Sequence, residues 1–267
     1  MVSTPIGHLG DITLRALAVL QQATVICCED TRHTRALLER YGIRTPTLAV
    51  HEHNEASMTP RLIERLRAGE TVALVTDAGT PVVSDPGGRL AQSVAAAGLR
   101  VVPIPGASAT LAALVASGLA AHPFTVLGFL DRKGKERENL LALAARLPHA
   151  VVLFESPNRL VETLEELAGV SGEGRQVAVA RELTKHFEEI RRGTLADITA
   201  YYRDVPPRGE IVIVLAGATA AEPTEDGLRA AAEAWRAEGF RPRDIVRMLM
   251  DEHGASRNLA YRLAHDT

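Results

Sequence analysis

Val72-Ala73-Leu74-Val75 runs straight into Thr76-Asp77-Ala78-Gly79-Thr80-Pro81-Val82-Val83-Ser84-Asp85-Pro86-Gly87-Gly88. The first four residues are continuously apolar, the pattern of a strand buried on both faces in a helix-covered parallel sheet. The stretch that follows is rich in Gly, Pro, Ser and Asp. It far exceeds the roughly two to six residues of an ordinary strand-to-helix loop. Asp77 comes directly after the apolar run, where a carboxylate needs a partner. A long loop at the end of a buried strand is the first place to look for chemistry.

The pattern repeats outward from this point. Helical segments over Met58–Ala68 and Arg89–Ala97 are each closed by a glycine, Gly69 and Gly98, as left-handed C-terminal caps require. Strands are predicted at Thr24–Ile26, Thr47–Val50 and Val101–Ile104, with Met1-Val2-Ser3 as a short first one. Helices are predicted over Ile12–Gln21, Thr31–Tyr41 and Ala109–Ser117, with Asp11 and Asp30 as the first two N-caps. The alternation restarts after Gly118, with strands at Thr125–Leu127, Val151–Phe154, Val177–Ala180 and Ile211–Leu215 and helices over Glu136–Arg146 and Arg159–Leu167. Such alternation predicts α/β architecture with helices on the sheet faces. The expected organisation is one α/β domain over 1–118, a second over 119–217, and a linker with a small helical extension over 218–267.

Composition narrows the classes. Hydrophobic residues at 46% and charged residues at 24% of 267 describe a globular chain with a large core. Cys27 and Cys28 are adjacent and point to opposite faces of a strand, so no structural disulfide is expected. A net charge of −3 gives no bulk attraction for nucleic acid, and 4% aromatics argue against a platform that stacks single-stranded bases. No apolar run approaches the roughly 20 residues of a membrane helix and no secretory signal is visible, so a cytoplasmic, membrane-free protein is expected.

Further loops follow predicted strands, where open α/β sheets bind their ligands. They are Thr4–Asp11, Pro103–Ala109 with Ser108 at a capping position, Phe154-Glu155-Ser156-Pro157, and Ala180-Arg181-Glu182-Leu183-Thr184-Lys185. Dinucleotide, P-loop and nucleophile-elbow motifs are absent. His51-Glu52-His53-Asn54-Glu55 lacks a third ligand at standard spacing, so no metal is assigned to it.

Read together, Thr4–Leu17, Glu29–Thr34, Asp77–Pro81, Ser84–Gly87, Pro103–Gly106, Gly128–Leu130, Glu155–Pro157 and Ala180–Lys185 resemble the tetrapyrrole methylase superfamily. Within it they resemble the cytidine 2′-O-methyltransferases of small-subunit ribosomal RNA. The match runs in order from Thr4 to about Gly217. It departs at His8, where the family has Asn, and at Met1-Val2-Ser3, where the family begins with a longer strand. The resemblance implies two α/β domains with a cleft between them, a homodimer, and S-adenosylmethionine in the cleft. It implies cofactor contacts from Leu9, Asp77, Ala78, Gly79, Val82, Ser84, Ser108 and Ala109 in the first domain, and from Phe154, Ala180, Glu210 and Ile211 in the second.

Methyl transfer from a sulfonium is an in-line displacement that calls for no metal; alignment alone can supply about 7–11 kcal/mol. A ribose hydroxyl needs a proton acceptor, for which Lys185, Glu182, Glu155, Asp30 and His33 are the candidates. Lys185 would need a depressed pKa for that role. The assignment is Glu182 and Lys185 to the chemistry, and Asp30, Arg32 and His33 to the substrate. Arg132, Lys133, Lys135 and Arg137 are expected to meet RNA phosphates of the small ribosomal subunit, with Arg241, Arg243, Arg247, Arg257 and Arg262 in the tail as a further basic set. Two alternatives stay open: a tetrapyrrole carbon methylase of the same fold, and a non-catalytic ribosome-binding module.

Overall fold

The computed structural model describes residues 1–82, 87–119, 122–218 and 225–265, and the chain divides into two compact units, Met1–Gly217 and Ala218–Thr267. Ser84 lies outside the described residues, as does most of the linker expected at 219–227.

In the first unit the order is α1 (Leu14–Gln22), β1 (Val25–Cys28), α2 (Thr31–Arg40), β2 (Thr47–Ala49), α3 (Glu55–Arg67), β3 (Val72–Leu74), α4 (Gly88–Ala96) and α5 (Ala109–Ser117). It continues with β4 (Phe124–Phe129), α6 (Lys135–Arg146), β5 (Ala150–Glu155), α7 (Leu160–Ser171), β6 (Gln176–Arg181), β7 (Glu189–Thr194), α8 (Leu195–Asp204) and β8 (Ile211–Leu215). The second unit holds α9 (Glu225–Ala237), α10 (Pro242–His253) and α11 (Arg257–His265), packed around Leu228, Ile245, Leu249 and Leu263.

The first sheet is parallel, in the order β2-β1-β3. Its alternation divides the core: Ile26 and Cys28 face Ala16, Leu20 and Leu37, whereas Cys27 faces Leu62, Leu90 and Val94. Both cysteines are buried and free, and burial pushes the Cys27 thiol up to about 12. The strands expected at 1–3 and 101–104 are reduced to a single parallel bridge between Val2 and Ile104. Val2 N still donates to Leu74 O at 2.8 Å, and Ile104 N to Met1 O at 2.8 Å.

The second sheet has the order β4-β5-β8-β6-β7; β4 and β5 are parallel and the remaining neighbours antiparallel. One face carries Val151, Leu153, Val177, Val179, Ile211, Ile213 and Leu215 against Leu160, Leu164, Leu195 and Ile198 of α7 and α8. The other carries Ala150, Val152, Ala178, Ala180, Val212 and Val214. These small residues let Ala113 and Leu114 of α5 approach closely. The change of sheet therefore falls before α5, although α5 precedes the break expected at 118/119.

Two elements escape the sequence reading. β7 is an edge strand, Glu-Ile-Arg-Arg-Gly-Thr, with no apolar run. It is held by Glu189 ion pairs to Arg181 and Arg191, and by the Arg191 guanidinium lying 3.4 Å over the Tyr201 ring. α8 opens with a capping box between Thr194 and Asp197, a signal present in the sequence. The cap of α1 is Thr13, which accepts from Ala16 N at 3.0 Å, rather than Asp11; Asp11 ends a separate 3₁₀ turn.

Arg137 is corrected from an RNA-facing cation to a structural one. It is 3% exposed, pairs with Glu166, and donates to Thr163 Oγ1 and Asp131 O at 2.9 Å each. Thr163 in turn donates to the buried Glu155 at 2.7 Å. Removing one partner from such a network leaves buried polar groups unmet. Arg137→Ala is expected to cost about 3 kcal/mol in urea unfolding, with no change in the salt dependence of RNA binding.

Candidate active site

The first wall is the turn after β3. Thr4 pins it: Thr4 N donates to Gly79 O at 2.9 Å, Gly79 N returns to Thr4 O at 3.1 Å, and Thr4 Oγ1 donates to Thr76 O at 3.0 Å. Gly79 has φ +83°, and a Cβ there would meet Ile6 at 3.3 Å, so its backbone stays bare. The second wall is the start of α5. Thr80 Oγ1 donates to Ala107 O at 3.2 Å, and Ser108 caps the helix through Leu111 N. The third comes from the second sheet, where Phe129 ends β4 and Phe154 lies one residue before the end of β5, with ring centroids 5.4 Å apart, and Gly209-Glu210 leads into β8.

These walls enclose a cavity of about 390 Å³, within the usual range of small-molecule sites. Of the expected cofactor residues, Ala78, Gly79, Ser108, Ala109, Phe154, Glu210 and Ile211 line it. Leu9, Asp77, Val82 and Ala180 do not. Leu9 sits in the 3₁₀ turn, where its carbonyl accepts from Tyr41 OH at 2.8 Å. Asp77 is one residue short of the wall and accepts from Asp30 N at 3.4 Å. Val82 is exposed with φ +77°, and Ala180 is buried in the α5-facing side of the sheet. Glu155 at the end of β5 and Ser156 and Pro157 after it line it with Gly209, and Ile6, Thr80, Thr110, Phe129 and Val212 complete the lining. Ile6, Thr80 and Phe129 fall within the motifs Thr4–Leu17, Asp77–Pro81 and Gly128–Leu130, whereas Thr110 and Val212 sit inside or beside apolar runs that give no sign of a site.

The lining suits a ligand that is part apolar and part hydrogen-bonding. The Thr110 hydroxyl is buried and has no hydrogen-bond partner among the described residues, and it lines the cavity. A buried hydroxyl left unmet costs about 1–3 kcal/mol, which a ligand acceptor or donor would recover. The bare Gly79 backbone and the Phe154 ring add a close-approach surface and an apolar one.

Glu182 and Lys185 stand behind the cavity rather than in it. Lys185 Nζ donates to Glu182 Oε1 at 2.8 Å and to Glu210 Oε2 at 3.0 Å, and Glu210 N donates to Glu182 Oε1 at 3.0 Å. Burial alone would lower the Lys185 pKa, but its hydrogen bonds to Glu182 and Glu210 and their charges outweigh it, and the value rises. Lys185 is thus an ammonium with no lone pair, and it acts by holding the β8 entry. For Glu182, burial is opposed by Lys185, the Glu210 N–H and Arg181, and its pKa falls. The turn is strained, with Glu182 at φ +51° and Thr184 at φ +64°. It packs on Gly7, where a Cβ would lie 2.6 Å from the Lys185 chain.

The expected substrate residues lie apart from this pair. Asp30 caps α2 and pairs with the exposed Arg32 at 2.8 Å; the Arg32 hydrogen bond holds its carboxyl down to about 2. His33 is exposed on α2, and Arg132 and Lys133 are exposed on the loop that follows Phe129 and Leu130.

Two outcomes are expected. Gly209 has φ +81°, and a Cβ there would fall 2.2 Å from Glu182 Oε1, so Gly209→Ala should weaken cofactor binding at least about tenfold by calorimetry. The lowered Glu182 pKa stabilises the fold fully above the unfolded value near 4.3, and that contribution is lost as pH falls through the folded value. Glu182→Gln should therefore flatten the acid side of the melting-temperature profile.

Residues 1–199 match the family of Tetrapyrrole (Corrin/Porphyrin) Methylases. The chain is similar to a ribosomal RNA small subunit methyltransferase I of Synechocystis sp., at 42% identity covering 99% of this chain and 96% of the relative. A protein of the same name from Mesorhizobium japonicum is 46% identical, covering 94% of this chain and 90% of its own. The fold is shared with a uroporphyrin-III C-methyltransferase of Thermus thermophilus complexed with S-adenyl homocysteine, at TM-score 0.59 and 22% identity over 80% of this chain and 95% of that one. The chain belongs to the tetrapyrrole methylase family, in the group of ribosomal RNA small subunit methyltransferase I.

Proposed function

We propose that the protein transfers the methyl group of S-adenosylmethionine to the ribose 2′-hydroxyl of a cytidine in 16S ribosomal RNA, acting on the small subunit. The observation that carries the reading is the cavity walled by Ala78–Thr80, Ser108–Thr110 and Gly209–Ile211, in a chain whose near full-length relatives bear that enzyme's name. Gly79, Ser108, Ala109, Thr110, Phe154, Glu210 and Ile211 would hold the cofactor, with Asp77 and Leu9 shaping the loops behind them. When bound, it supplies a methyl carbon activated by a sulfonium. The protein's part is positioning: Glu182 and Lys185 fix the β8 entry, and Thr4 fixes the turn after β3.

Substrate contact is assigned to Asp30, Arg32 and His33 on one side and to Arg132 and Lys133 on the other. The last two are exposed and, among the described residues, form no ion pair. They follow the strand that supplies Phe129 to the cavity, which supports assigning these cations to backbone phosphates. The division of Met1–Gly217 into two α/β halves and the homodimer belong to the same proposal. Leu111 and Val115, one turn apart on α5, are 51% and 75% exposed, which supports a self-associating face. Among the described residues no helix is long and apolar enough to cross a membrane, in keeping with action on ribosomal subunits in the cytoplasm.

The test is transfer of labelled methyl to small subunits from cells lacking this gene, followed by ribose analysis. Label on a cytidine 2′-oxygen is expected. Absence of label with cofactor still bound would overturn the reading in favour of a tetrapyrrole substrate. Arg132→Ala with Lys133→Ala is expected to weaken subunit binding and reduce its salt slope by about one to two, leaving cofactor affinity unchanged.

A further inference from the structure

If the substrate is a ribose hydroxyl, as proposed above, its proton must leave, and the acceptor needs an unengaged lone pair on the ligand side of the sheet. Most carboxylates near the cavity are engaged. Glu155 accepts from Thr163 Oγ1 and Ser156 N at 2.7 Å each. Glu182 and Glu210 share Lys185, and Asp30 holds Arg32 while capping α2.

Glu29 differs. Its carboxylate takes part in no hydrogen bond or ion pair among the described residues, and it is half-buried. It follows β1, the middle strand of the first sheet, and so stands at the carboxyl end where parallel sheets bind ligands. Val75 N bonds Cys27 O at 2.9 Å and Asp30 N reaches Asp77 Oδ1 at 3.4 Å, which sets Glu29 beside Thr76-Asp77, the residues leading into the Ala78–Thr80 wall. On the β2 side is His51, whose Nδ1 is buried and has no partner among the described residues. Two neighbouring side chains with unmet hydrogen-bonding capacity thus meet at these strand ends.

We propose that Glu29 is the proton acceptor for the 2′-hydroxyl. The proton passes from O2′ to a Glu29 carboxylate oxygen as the O2′ lone pair bonds the methyl carbon. The carbon–sulfur bond breaks with its electron pair remaining on sulfur, which leaves as a neutral thioether, and Glu29 then releases the proton to water. The charged and titratable groups facing Glu29 are Asp77 after β3, His51 and Glu52 after β2, and Asp30 on its own segment. Burial first, then Asp77, raises its proton affinity, with His51 opposing; a basic carboxylate is the better acceptor.

The test compares wild type with Glu29→Gln in single-turnover methyl transfer to small subunits, alongside cofactor and subunit affinities. The variant is expected to be slower by about a hundredfold or more, with both affinities within about twofold of wild type. The wild-type rate should rise with pH through a limb centred above the ordinary glutamate value near 4.3, and the variant should lack that limb. Carboxyl-carbon NMR titration, assigned by the signal missing in Glu29→Gln, should show a raised Glu29 pKa whether or not methyl is transferred. A variant rate within about threefold of wild type, or joint loss of rate and cofactor affinity, would overturn the proton-acceptor role alone. Failure of wild type to methylate a ribose would overturn the proposed function and this role with it.

Discussion

β8 must satisfy hydrogen bonds on both edges at once, to β5 and to β6, and both pairings are antiparallel. All five of its residues are buried. A strand in that position cannot shift register by one residue without turning Ile211, Ile213 and Leu215 away from α7 and α8. Its entry is therefore placed with the rigidity of the sheet, and Gly209-Glu210-Ile211 inherits that rigidity as a cavity wall. The same residues specify a fold and wall the cavity.

Electrostatics secure the entry from outside. Lys185 bridges Glu182 and Glu210, while Glu182 N donates to Glu210 O and Glu210 N donates to Glu182 Oε1, so the 182–185 turn and the β8 entry form one block. Gly7 and Gly209 are the two points where this block leaves no volume for a Cβ. Positive φ at Glu182 and Thr184 shows that the block is held against local backbone preference, which surrounding contacts must over-determine. Glu182 and Lys185, conspicuous in the sequence, thus support the site rather than line it.

Much of the fold is legible without coordinates. Apolar runs such as Val72–Val75 and Ile211–Leu215 mark buried strands because only a covered sheet tolerates them, and Gly69 and Gly98 end helices because they reach positive φ. β7 is not legible. An edge strand needs no apolar run, and β7 is held by its own Glu189 and Arg191 meeting Arg181 of β6 and Tyr201 of α8, contacts that form only once those elements pack. Arg137 is misread for the same reason: local spacing gives it charged neighbours and an exposed helix, whereas Glu166 and Thr163 on α7 draw it inward.

The site divides along the same line. By itself the sequence determined which loops carry chemistry, because glycine, proline and small side chains after buried strands are a local property of the chain. It determined the family too, through many short motifs kept in order. Only the tertiary structure decided which of those residues share a cavity and which stand behind it. It placed Phe129 and Thr110 with Gly79 in one cavity, joined Lys185 to two carboxylates, and left the Glu29 carboxylate without a hydrogen-bond or ion-pair partner among the described residues. Burial, proton affinity and ion pairing are sums over neighbours far apart in the chain, so they come into being only when the sheets bring those neighbours together.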